Sequence, residues 1–175
     1  MGTALSRCPP GLGEMPLPAL NTAFDGLYPS GDHWYWRTDF VSEIPDAAVA
    51  LHAEFGRNLP NLKSTMHLYP VDGAAGRVAK DATAWSYRDA RWVQVMVGVD
   101  PDPVAVGPAK EWALAYWDAL HPHSMGGGYV NMLMNDEEPD RVRTTYRDNY
   151  DRLAAIKRVY DPDNRFHVNQ NIPPA

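Results

Sequence analysis

The run Trp92-Val93-Gln94-Val95-Met96-Val97-Gly98-Val99 decides how the rest of the chain reads. Valine recurs at every second position, which puts β-branched side chains on one face of an extended strand and Gln94, Met96 and Gly98 on the other. Asp100, Pro101 and Pro103 stop it. Working upstream, Thr83 to Tyr87 reads as a short strand, joined to this one by a polar turn at Arg88 to Arg91. Downstream, the spacing predicts a helix from about Val106 to Leu120, with Trp112, Tyr116 and Leu120 along one face.

The earlier part follows the same alternation of periods. His33 to Ser42 reads as a strand, with Trp34, Trp36 and Phe40 on one face. Pro45 opens a helix to about Arg57, and Asp46 in its first turn suits the positive end of the helix dipole. Ala48, Leu51 and Phe55 are its apolar stripe. Leu62 to Tyr69 is the next strand, closed by Pro70 and a turn at Gly73 to Gly76. The order β-α-β-β-β-α implies an α+β fold, an antiparallel β-sheet covered by helices. Gly126 to Gly128 then reads as a flexible turn into a short strand at Tyr129 to Leu133. Asp140 to Tyr146 and Asn149 to Tyr160 form a C-terminal helical tail ended by Asp161-Pro162. Three regions result: an irregular proline-rich lead-in over 1–30, a sheet over 31–135 and the tail over 136–175.

Composition narrows the function. The 175 residues are 45% apolar and 22% charged, with six tryptophans, as a folded domain requires. Net charge is -6 with acids and bases interspersed, so there is no basic face to neutralise phosphates and no nucleic-acid partner is expected. No stretch is long and apolar enough for a membrane span or a secretory leader, and a cytoplasmic protein is the expectation. Gly2 and Ser6 match the short myristoylation pattern, one that recurs by chance. With Cys8 alone, neither an intrachain disulfide nor a thiolate metal site can form. His121-Pro122-His123 lacks a third ligand at useful spacing and reads as a helix-end turn, so no metal is expected. Asp136, Glu137 and Glu138 read as a solvated acidic helix start.

Three motifs carry more. They are Thr83-Ala84-Trp85-Ser86-Tyr87-Arg88, then Gly128-Tyr129-Val130-Asn131, and then a tail from Asn149-Tyr150-Asp151-Arg152-Leu153 through Lys157. The tail continues with Asp161-Pro162-Asp163-Asn164-Arg165-Phe166 and ends in Asn169-Gln170-Asn171-Ile172. In order and spacing they resemble the C-terminal substrate domain and tail of the berberine-bridge-enzyme-like FAD-linked oxidoreductases. The likeness covers nearly the whole chain after residue 20, and it leaves no room for the family's N-terminal FAD domain.

The resemblance implies a small organic substrate (a sugar, alkaloid or polyketide-like molecule) held between flavin and sheet, with FAD bound by a domain supplied in trans. It makes Tyr129 the first choice for general base. A phenol ordinarily titrates near 10, so that role needs a cation or donor nearby, and Arg88 is the candidate cation. The other reading of Tyr129 is a packed strand aromatic. Asn131 is two residues on and shares its strand face, where a carboxamide suits a flavin's pyrimidine edge or merely caps a turn. Asn169 and Gln170 carry the same amide chemistry. Tyr87, where many relatives have histidine, is expected with Trp85 and His67 in the substrate wall. Two alternatives stay open: a flavin-independent cyclase, isomerase or dehydratase, and a non-catalytic binding module. An uncovered flavin-facing surface implies self-association as a homodimer.

Overall fold

The valine-alternating run at residues 92–99 is the middle of the sheet. In the computed structural model, which describes residues 14–22, 25–27, 29–168 and 170–175, β3 (Trp92–Asp100) lies between β1 (His33–Val41) and β2 (Thr65–Pro70). Both neighbours run antiparallel to it, with Trp36 opposite Val97 and His67 opposite Val95. This is a split β-α-β arrangement: α2 (Asp46–Arg57) connects β1 to β2, and β3 fills the space between them. The chain divides into two compact units, Met1–Gly31 and Asp32–Ala175. Cys8, Gly2, Ser6 and Asn169 lie outside the described residues.

Alternation sends the two faces of the sheet to different partners. On one face Met96 packs with Ala48 of α2 and with Tyr116 and Leu120 of α4 (Val106–Leu120). Leu51, Phe55 and Trp112 close around that cluster, so both amphipathic stripes meet the sheet. On the other face Val95, Val97 and Val99 pack with Trp34, Trp36 and Met132. Phe40 continues that face toward Tyr87 and Ala90, which are buried with it.

Four expectations give way to the hydrogen bonds of the folded chain. The second strand starts at Thr65 rather than Leu62 because Asn61 folds the preceding residues into a turn, its Oδ1 accepting from the Lys63 and Ser64 amides at 2.9 Å each. Thr83 to Tyr87 forms no strand. Its carbonyls are taken instead by Asn149, whose Nδ2 donates to Thr83 at 3.1 Å and Ala84 at 3.2 Å. Tyr129 to Leu133 is a 3-10 turn over Val130–Met132, not a strand. The outer edge of β1 is already occupied, since the Phe40 amide donates to Gly127 and its carbonyl accepts from Met125, both at 2.8 Å. Within the lead-in, Leu17–Thr22 forms a short helix, α1. Its first bonds run from Ala19 and Leu20 to the Pro16 carbonyl, as proline tolerates at a helix start.

A four-residue helix, α3 (Gly73–Gly76), follows β2, and the tail comprises α5 (Pro139–Tyr146) and α6 (Asn149–Tyr160). The Asp161 carboxylate ends α6 by accepting from the amides of Arg165 at 2.7 Å and Phe166 at 3.0 Å. Asn164 sits at φ +51°, a conformation asparagine tolerates.

Candidate functional site

On the valine face of the sheet is a cleft of about 360 Å³. Phe40 and Val93 form its floor, Tyr69, Pro70 and Val71 one side, Trp85 another, and Tyr129 with Met132 its lip. The lining is nearly all hydrocarbon, so it suits an apolar or aromatic ring. Tyr129 is 38% exposed, and its oxygen accepts from Asn131 Nδ2 at 2.9 Å. The two side chains therefore meet, through a 3-10 turn rather than along a strand.

Asn131 also borders a second, polar cleft of about 390 Å³ shared with Asn135, Tyr146 and Gln170. Gln170 is oriented by donating to Leu133 O at 3.0 Å. The three carboxamides offer both donors and acceptors, the set that a flavin's pyrimidine edge matches, so the residues present fit that group. FAD there would supply a hydride acceptor.

The remaining expected site residues divide. Trp85 lines the apolar cleft, and His67 shares its sheet face, with Nε2 2.8 Å from Thr65 Oγ1 and its ring stacked 5.7 Å from that of Tyr69. Burial pushes the His67 imidazole below its ordinary value. Arg88 is occupied elsewhere: it donates to Ala75 O and Thr83 Oγ1 and lies over the Trp85 ring. Tyr87 is a correction. It is fully buried, stacked on Phe40 at 4.4 Å beneath the Arg147 guanidinium at 3.5 Å, and its hydroxyl donates to Thr144 O at 2.9 Å. It supports the wall from behind and lines none of the cleft.

Sequence reasoning missed the ionic cluster on the helix-covered face. Asp39, 0% exposed, accepts from Arg141 Nη2 at 2.7 Å and pairs with His121 Nδ1 at 3.0 Å. Arg141 also bonds Glu137 at 3.1 Å and reaches the Gly126 and Thr38 carbonyls. Arg141 thus clamps the glycine run that leads into Tyr129. Glu137 is not solvated as expected; its side chain is 3% exposed. The available signal was Arg37 and Asp39 alternating within an otherwise aromatic strand, since charges at buried parity must be paired. Among the described residues no group of three or more acidic, histidine or cysteine side chains could hold a metal ion, and no helix is long and apolar enough to cross a membrane.

Asp136 closes the cluster, bonding Lys110 at 2.8 Å and Arg37 at 3.0 Å. Partial burial works against its charge, but the hydrogen bonds from Lys110 and Arg37, with the Arg37 charge, outweigh it and hold its pKa at about 2. This depressed carboxylate contributes stability in full above its unfolded value of 3.8 and loses it as pH falls through about 2. Melting temperatures of the wild type and Asp136→Asn should therefore differ near neutrality and converge toward that acid limit. A gap constant with pH would contradict the pairing.

Comparison with known proteins places this geometry. Residues 128–173 match the family model described as berberine and berberine like. The chain is 34% identical over 131 residues to the FAD-linked oxidoreductase YgaK of Bacillus subtilis, covering 75% of this chain and 29% of that protein. It is 28% identical over 161 residues to the FAD-linked oxidoreductase sorD of Penicillium rubens, covering 83% and 32%. The chain belongs to the berberine-bridge-enzyme-like family. Its fold matches berberine bridge enzyme from Eschscholzia californica with TM-score 0.71 and 21% identity over 82% of this chain and 33% of that one. Physcomitrella patens BBE-like 1 gives 0.73 and 19%, over 82% and 31%. The chain spans about a third of the length of these berberine-bridge-like relatives. The family-model match holds Tyr129, Asn131 and Gln170, and two of the relatives are FAD-linked by name.

Proposed function

We propose that the chain forms the substrate-facing wall of a berberine-bridge-like FAD-dependent oxidoreductase, with the FAD-binding domain supplied in trans. The observation that carries this is the Tyr129–Asn131 pair, which stands between an apolar cleft and a carboxamide-lined one. The apolar cleft takes the hydrocarbon body of a small organic substrate and excludes water from it. Tyr129 is the general base, taking the proton of the substrate's reacting hydroxyl. Asn131 fixes the phenol oxygen, and Gln170 with Asn131 faces the flavin. Val159, Tyr160, Phe166 and Val168, between 73% and 83% exposed, give the tail an apolar surface suited to a flavin-domain partner. The chain itself pairs as a homodimer.

Co-expression with an FAD domain from a relative tests the reading. The complex should be yellow, and Tyr129→Phe should slow flavin reduction by substrate roughly 10²-fold or more, as loss of an acid–base group does. Unchanged reduction in Tyr129→Phe removes the role from that residue. Turnover by colourless protein with no flavin present would establish a flavin-independent enzyme instead.

A further inference from the structure

The turn that carries Tyr129 and Asn131 closes on itself, the Met132 amide donating to Tyr129 O at 2.8 Å and the Leu133 amide to Val130 O at 3.2 Å. Its two flanks tie it to the rest of the fold, and one side chain reaches both. On the near flank, the Arg141 guanidinium donates to the Gly126 and Thr38 carbonyls, which binds the glycine run to β1 just ahead of Tyr129. Gly126 presents that carbonyl at φ +91°, a conformation that favours glycine. On the far flank, Arg141 Nε donates to Glu137 Oε2 at 3.1 Å, and Glu137 Oε1 accepts from the Met134 amide at 2.9 Å. Next to Met134, the Leu133 carbonyl accepts from Gln170 Nε2 at 3.0 Å, so this flank also seats a carboxamide of the polar cleft.

A guanidinium suits this double hold. Its five N–H donors point in fixed directions from a planar fork, and Arg141 directs them to two carbonyls and two carboxylates at once. Asp39, at 2.7 Å, and Glu137 neutralise a charge that burial would otherwise penalise heavily. A lysine ammonium is a single point and cannot span both flanks.

We propose that Arg141 is the positioning residue of the site: by bracketing the turn on both sides, it fixes the Tyr129 phenol at the apolar cleft and Asn131 at the polar one. The bracket is internal to the fold and does not depend on what borders either cleft. Its consequence for catalysis rests on the reading of Tyr129 as general base; the placement of the phenol does not.

Fluorine NMR of the chain labelled with 3-fluorotyrosine tests the placement, the Tyr129 line being the one lost in Tyr129→Phe. In Arg141→Lys, which keeps a positive charge beside Asp39 but holds one flank at most, the Tyr129 line should shift or broaden. The lines of Tyr116, in the core, and Tyr160, 83% exposed on α6, should stay in place, which separates positioning from loss of fold. Gly126→Ala displaces the accepted carbonyl without touching the buried charges, since its Cβ meets Thr144 Cγ2 at an ordinary 3.5 Å. It should move the same line, and it keeps the test decisive should Arg141→Lys not fold. A Tyr129 line that stays in place in folded Arg141→Lys or in Gly126→Ala overturns the proposal, as does movement of all three lines together in Gly126→Ala. With an FAD domain co-expressed, Arg141→Lys should lower kcat for flavin reduction roughly 10–10²-fold, the effect of a base misplaced by about 1 Å, and leave KM nearly unchanged. If reduction depends on Tyr129 but not on Arg141, the positioning role fails and the chemistry stands. If Tyr129→Phe leaves reduction unchanged, the chemistry fails while the fluorine lines still decide the placement.

Discussion

Gly98→Ala is expected to destabilise the protein by about 3 kcal/mol or more, because the added methyl group has nowhere to go. A Cβ at residue 98 would lie 2.3 Å from the Ala109 carbonyl oxygen and 2.6 Å from its carbon, with Lys110 N at 3.2 Å. These are backbone atoms of α4. No flexible side chain can swing away, so the whole helix must lift off the central strand. That movement would loosen Met96 from Tyr116 and Leu120, the centre of the core. Gly107→Ala is the control: a Cβ there meets nothing within 4 Å, and alanine in a helix gains up to about 1 kcal/mol over glycine. Urea unfolding should lower the midpoint for the first variant and keep or raise it for the second. Equal midpoints would mean that α4 does not bear on Gly98 this closely.

Asp39→Ala is the second large effect, with an expected cost of about 3–5 kcal/mol, the range for leaving one member of a buried ion pair without its partner. Arg141, itself buried, would lose its 2.7 Å contact, and the half-exposed His121 its 3.0 Å contact. Glu137 still neutralises part of the arginine charge, which favours the lower end of that range. The loss should have a local signature as well. Arg141 holds the Gly126 and Thr38 carbonyls, and Gly128 packs so tightly that a Cβ would lie 2.8 Å from Thr38 and 3.2 Å from Arg141. Amide exchange at Phe40, whose N–H bonds Gly127 O, should therefore accelerate more than exchange in α2. Asp89→Ala is the comparison: its pairs with Lys80 at 2.8 Å and Arg147 at 2.9 Å are solvent-accessible and should be worth under about 1 kcal/mol. Similar costs for the two variants would remove the special standing of Asp39.

The same residues show where sequence reasoning reached and where it stopped. Ala48, Leu51 and Phe55 in α2, and Tyr116 and Leu120 in α4, were legible because a stripe at helical spacing has one physical use, to be buried. The Tyr129–Asn131 pair was legible as a motif, though its geometry was assigned to a strand. A 3-10 turn and a strand both bring residues i and i+2 within reach here, and only the occupied edge of β1 selects between them. Tyr87 was misplaced because a tyrosine in a loop motif serves a binding wall or a core equally well. Its burial depends on Thr144 and Arg147, some sixty residues away.

By itself, then, the sequence determined the α+β class, the positions of the long elements and the kinship carried by residues 83–88, 128–131 and 149–172, since all of these rest on local periodicity or on residue identity at fixed spacing. Only the tertiary structure decided that Asp39, Glu137 and Arg141 form one buried cluster, that Gly98 is a contact point for a helix, and that Met125 and Gly127 cover the outer edge of β1. Each of those depends on pairs far apart along the chain. Their energies appear only when distant groups are brought out of water together, and no local pattern records that.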